Sequence, residues 1–196
     1  MLRETLVYVL ETVVNLFALA ALMRFYAQAF RASFRNPIAQ FIVALTDWAV
    51  KPLRRILPSV LGLDTASFMV AWITVILLWW ALLMIMQLAD MTNPLFWPGL
   101  LALSVVKLIK LSVYLLIGIV LVQAVLSWVS PYHPMRPFFE TMSKPFLQPL
   151  RRIVPLVGGV DLSPLLLLIL LQILLMLPIA FLERESVRLM RGLALL

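Results

Sequence analysis

Residues Pro52-Leu53-Arg54-Arg55-Ile56-Leu57-Pro58 return as Pro149-Leu150-Arg151-Arg152-Ile153-Val154-Pro155, 97 positions further along the chain. The same step carries Pro37 onto Pro134, Gly62 onto Gly159 and Asp64 onto Asp161. Each copy lies between two long apolar stretches, so the chain reads as one unit written twice: span, basic loop, span. This predicts an all-α membrane protein with four transmembrane helices in two tandem repeats, each a span, an amphipathic loop helix and a second span. The first repeat covers residues 1–92, with spans at about 6–26 and 66–88. The second covers 93–196, with spans at about 111–130 and 162–182.

Hydrocarbon is the solvent that the composition fits. The chain is 64% hydrophobic and 13% charged, where soluble domains are about 45–50% and about 25%. The stretches 65–89, 111–135 and 162–182 carry no charge and exceed the roughly 20 residues needed to cross a bilayer. The stretch 6–26 is long enough but holds Glu11 and Arg24. Helix is the only state open to them, because an unpaired backbone group in lipid costs several kcal/mol. The N-terminus has neither the basic region nor the small-residue cleavage site of a secretory signal, so the first span is expected to stay as an anchor.

A net charge of +7 suggests anionic headgroups rather than nucleic acid as the electrostatic partner, because the basic residues flank apolar spans. The two repeat loops hold ten Lys and Arg against six on the opposite side, which predicts loops in the cytoplasm and termini outside. There is no cysteine, which excludes disulfides, thiolate metal sites and thiol nucleophiles.

In the first loop, Asn36 can cap a helix that Pro37 begins. Ile38, Phe41, Ile42 and Leu45 then form a helical stripe that recurs as Met135, Phe138, Phe139 and Met142, as expected for a helix on the bilayer surface or against the spans. Pro137 and Pro145 shorten the second copy. Beyond that helix comes the Pro-framed basic pair, then Asp64 or Asp161 as N-cap of the next span, with Pro164 in the first turn of the fourth. Trp79, Trp80, Trp97, Trp128 and Tyr132 lie toward span ends, as interfacial aromatics do.

Arg54, Arg55, Arg151 and Arg152 are the candidate lipid- or partner-binding residues, since guanidinium forks suit phosphate and carboxylate alike. The competing reading, that they set orientation and snorkel to headgroups, is what basic residues at span ends ordinarily do. The structural residues of the motif are Pro52, Pro58, Gly62 and Asp64, and in the second copy Pro149, Pro155, Gly159, Asp161, Ser163 and Pro164. Aligning Gln28-Ala29 with Gln123-Ala124 gives an offset of 95 and sets Glu11 at the depth of Lys107 and Lys110, a candidate intramembrane pair. His133 is the only histidine, so one chain cannot give haem iron two imidazoles. No Ser–His–Asp set, phosphate loop or ion filter stands out. The expectation is a protein that is not an enzyme, holds no cofactor, and works with the bilayer and other membrane proteins. A homo-oligomer is left open.

The repeated Pro-Leu-Arg-Arg-Ile segments, with Gly62-Leu63-Asp64 and Gly159-Val160-Asp161-Leu162-Ser163-Pro164, resemble the YggT family of bacterial inner-membrane proteins, related to YlmG proteins. The match covers both halves in the duplicated proteobacterial form. The first copy departs from the pattern at Asp64-Thr65-Ala66-Ser67, where the Ser-Pro pair is missing. The resemblance implies a multi-pass inner-membrane protein without catalytic residues. Roles connected with the family are envelope organisation, membrane-complex assembly and osmotic stress, with ion or osmolyte flux and haem or cytochrome assembly as alternatives.

Overall fold

The computed structural model describes residues 1–59, 62–130, 132–154 and 161–192. Those residues fold into α1 (Leu2–Ala29), α2 (Pro37–Ile56), α3 (Thr65–Ile85), α4 (Phe96–Val129), α5 (Arg136–Arg151), α6 (Ser163–Leu174) and α7 (Ala180–Met190). A π-helical turn at Leu175–Ile179 joins α6 to α7, so 163–190 runs as one helix. The wider turn accommodates Pro178, which has no N–H for an α-helical bond. Among the described residues, four helices are long and apolar enough to cross a membrane: α1, α3, α4 and the α6–α7 helix.

α1 packs antiparallel to α3. Ala18, Ala21 and Leu22 meet Ala66, Val70 and Ala71 near one end, while Val7 meets Leu78 and Leu82 near the other. α4 packs likewise on the α6–α7 helix, with Val113 and Leu116 against Leu167 and Leu171. The small residues of α1 let its backbone approach α3 closely, the usual basis of helix association in lipid. α2 and α5 both pack at one end of the bundle, where Ala27, Ala32 and Ala39 cluster with Phe138, Phe139 and Met142.

Three boundaries differ from those expected. α4 begins at Phe96, some four turns before the charge-free stretch, and the fourth span continues past Leu182 to Met190. The reason is mutual neutralisation. Lys107 pairs with Glu183, and Lys110 Nζ lies 2.9 Å from the same carboxylate. The Lys107 ammonium also stands 3.7 Å from the Trp79 ring centroid of α3. Third, the basic motif is helix, not loop: Pro52 to Ile56 form the last turns of α2, and Pro149 to Arg151 those of α5. There the arginines meet the negative end of the helix dipole.

Candidate functional site

The end of the bundle that carries α2 and α5 is organised around two aspartates. Asp64 caps α3: its carboxylate accepts from the Ser67 N–H at 3.3 Å and the Ser67 hydroxyl at 2.5 Å. The same carboxylate, only 1% exposed, pairs with Arg54 from the end of α2 and lies 3.7 Å from Arg24 Nε of α1. Arg24 is buried too, and its Nη1 donates to Thr46 Oγ1 and Asp47 Oδ1, each at 2.9 Å. Lys51 reaches the other oxygen of Asp47 at 2.8 Å. The hydrogen bond from Lys51, with that of Arg24, holds the Asp47 carboxyl below its ordinary value against the opposing pull of burial. One buried guanidinium thus ties α1, α2 and α3 together.

The second half repeats the outer part of this arrangement and neutralises the inner part. Arg151 Nε lies 2.8 Å from Asp161 Oδ2, and Asp161 Oδ1 accepts the Ser163 N–H at 2.9 Å. The cap residue of α6 is Leu162, so Asp161 sits one position before the cap instead of at it. Partial burial pushes Asp161 up, but the Ser163 N–H and the hydrogen bond and charge of Arg151 outweigh it and leave the carboxyl below its ordinary value. Where Thr46 meets Arg24 of α1 in the first half, its counterpart Ser143 donates to Gln123 of α4, so a neutral amide meets α5 where a guanidinium meets α2.

Each arginine pair is therefore split. Arg54 and Arg151 turn back onto an aspartate ten residues ahead. Arg55 and Arg152 are exposed and have no carboxylate within 4 Å among the described residues. Pro52 and Pro149 lie inside helices, Pro164 opens α6, and Gly62 adopts φ +81°, the left-handed turn that delivers the chain to Asp64. The Pro58 carbonyl accepts from Thr65 Oγ1 at 2.9 Å. Pro155 and Gly159 lie outside the described residues.

Among the described residues Glu11 makes no ion pair within 4 Å with either of the two lysines. Both are held by Glu183, which lies one residue past the end of the expected fourth span at 162–182. Arg24 was legible only as an orientation signal, and nothing in the sequence marked Thr46 or Asp47 as its partners. His133 Nδ1 accepts the Met135 N–H at 3.3 Å, a turn-capping role. Between α1, α4, α5 and α6 lies a laterally open groove of about 360 Å³ lined mainly by apolar residues, among them Tyr26, Phe30, Ile119, Met142, Phe146 and Leu171.

Comparison with known proteins gives one consistent result. The CCB3/YggT family model matches the chain twice, over residues 3–96 and 102–182. A protein of the proC 3′ region of Vibrio alginolyticus is 37% identical over 84% of this chain and 88% of its own length. The YggT protein of Escherichia coli strain K12 is 34% identical over 87% of each chain. A Pseudomonas aeruginosa protein is 34% identical over 91% of this chain and 90% of its own. No solved structure matches.

Proposed function

The chain belongs to the CCB3/YggT family, and from there we propose that it is a non-enzymatic, multi-pass scaffold of the bacterial inner membrane that holds anionic groups at its α2–α5 face. The observation that carries this reading is the division of labour within each basic pair. Arg54 and Arg151 are engaged by Asp64 and Asp161, which fixes the helix end on which Arg55 and Arg152 stand exposed. A pre-positioned guanidinium loses less entropy on meeting a phosphate than a free one does. The groups it meets are the phosphates of anionic lipids and, through them, the anchored surfaces of neighbouring membrane proteins. The apolar lining of the groove between α1, α4, α5 and α6 supports a dry bundle over an ion conduit.

The test is lipid retention. Wild type and an Arg55→Ala/Arg152→Ala variant are extracted from membranes containing phosphatidylglycerol and phosphatidylethanolamine, and bound lipid is counted by native mass spectrometry. The variant is expected to retain several-fold less phosphatidylglycerol with its fold intact. Equal retention of the anionic lipid would remove the reading.

A further inference from the structure

We propose that a second copy of this chain docks head to tail, its α1 lying on the α6–α7 helix of its neighbour as α4 lies on α3 within one chain. The internal contact supplies the template. α3 and α4 pack together, with Leu108 and Leu111 of α4 in the cluster that holds Val75 of α3. Trp72 Nε1 donates to Ser104 Oγ at 2.9 Å, and Lys107 lies over Trp79. If a two-fold axis related the halves, α1 would meet the α6–α7 helix in the same way. Among the described residues those two helices share no comparable contact. The contact is heterologous, and a heterologous contact leaves one complementary face open at each end.

Both open faces are on the molecule. The offset of 95 places Val9, Thr12, Val13 and Leu16 of α1 where α4 has Ser104, Lys107, Leu108 and Leu111. The offset of 97 places Leu165, Ile169 and Met176 where α3 has Phe68, Trp72 and Trp79. The same two offsets carry Ala18, Ala21 and Val70, which cluster in one half, onto Val113, Leu116 and Leu167, which cluster in the other. Ser104, Leu108 and Leu111 are buried, whereas Val9, Val13 and Leu16 are 52, 59 and 60% exposed. Leu165, Ile169 and Met176 are 56, 49 and 73% exposed.

A polar side chain distinguishes this face from one meant for lipid alone. Gln172, near the middle of the fourth span, stands where α3 has the fully buried Val75, yet it is exposed and its amide has no hydrogen-bond partner among the described residues. An amide facing hydrocarbon is costly, and glutamines in spans typically bond to a neighbouring helix. The α1 stripe that would cover it carries Thr12, with Asn15 beside it, so the docked copy offers hydroxyl and amide partners at that depth.

The chain has no cysteine, so pairs can be introduced cleanly. Val9→Cys stands at the Ser104 position and Ile169→Cys at the Trp72 position, with Thr12→Cys and Met176→Cys as a second pair. The two single variants, with different tags, are co-expressed, and membranes are treated with a flexible bis-methanethiosulfonate reagent, because side chains as long as Trp72 hold the template backbones further apart than a direct disulfide spans. The expected result is a cross-linked dimer carrying both tags, little dimer from either variant alone, and a several-fold lower yield with Gln172→Leu in the Ile169→Cys chain. Gel filtration of each variant checks the fold, and a Trp72→Cys/Ser104→Cys chain checks that the reagent reaches this depth. Absence of the mixed dimer for both pairs while that internal cross-link forms would overturn the proposal. So would equal cross-linking by Val9→Cys alone, or single chains carrying only lipid in native mass spectra from nanodiscs.

Discussion

Arg151 and Asp161 stand ten residues apart in sequence and 2.8 Å apart in space, and Arg54 stands to Asp64 in the same relation. In both halves the clasp ties the end of a non-spanning helix to the mouth of the following span. Their surroundings differ. Asp64 is buried and also faces the buried Arg24, whereas the side chains of Arg151 and Asp161 are 43 and 31% exposed.

The first prediction follows from that contrast. Asp64→Ala removes the cap of α3, worth about 1 kcal/mol. It also removes the partner of Arg54 and one of the two carboxylates at the buried Arg24, which keeps Asp47, so a loss of roughly 2–3 kcal/mol is expected. Asp161→Ala breaks a pair that water already screens, for which about 1 kcal/mol is the upper range. Thermal unfolding in detergent should show a much larger loss for the first substitution. Equal losses would mean that Arg24 adds nothing.

A second prediction concerns pH. The Asp161 carboxyl is depressed in the fold, so its contribution is fully present above the ordinary carboxylate value, about 4, and fades as pH falls through the lower folded value. Stability should be flat on this account from pH 7 to about 5. Below about pH 4 it should decline less steeply in Asp161→Asn than in wild type. Parallel curves for the two proteins would refute the assignment.

The third prediction separates Glu183 from Glu11. Glu183→Gln leaves Lys107 and Lys110 without their shared carboxylate, Lys107 being only 12% exposed. A cost of roughly 3 kcal/mol is expected, in the range for breaking a buried pair. Glu11→Gln breaks no ion pair within 4 Å and should change unfolding by well under half as much. If Glu11→Gln proves the more damaging, the cluster is wrongly assigned.

The fold class and the capping of α2 and α3 were legible because each rests on local chemistry: charge-free runs, Asn36 before Pro37, and Asp64 before Ser67. The basic motif was legible as a repeat but not as helix, since the proline-framed pair reads as following the loop helix, although Pro52 and Pro149 each lie within a helix that continues to the arginines. Pairings between distant segments were not legible. Lys107 and Glu183 are 76 residues apart, and each alone looks like the edge of a span. Only when α4 and α7 lie side by side does the charge of one cancel the other and let both helices extend. Arg24 is the same case, an orientation signal until α2 brings Asp47 and Thr46 to it.

Two glycines of α4 give opposite predictions. At Gly99 a Cβ would lie 2.5 Å from Met190 Cα and 2.6 Å from Met190 N, so α4 and α7 approach through backbone. Gly99→Ala must push the helices apart, and overpacking of this kind costs about 1–3 kcal/mol. The separation also works against the Lys107–Glu183 pair, two turns away on the same two helices. Met190→Ala should not rescue it, because the obstructing atoms are Cα, N and Cβ. At Gly118 nothing lies within 4 Å of the added methyl. There Gly→Ala removes only backbone freedom and should stabilise by about 0.5–1 kcal/mol. Unfolding midpoints that move in the same direction for both substitutions would contradict the close approach of α4 and α7.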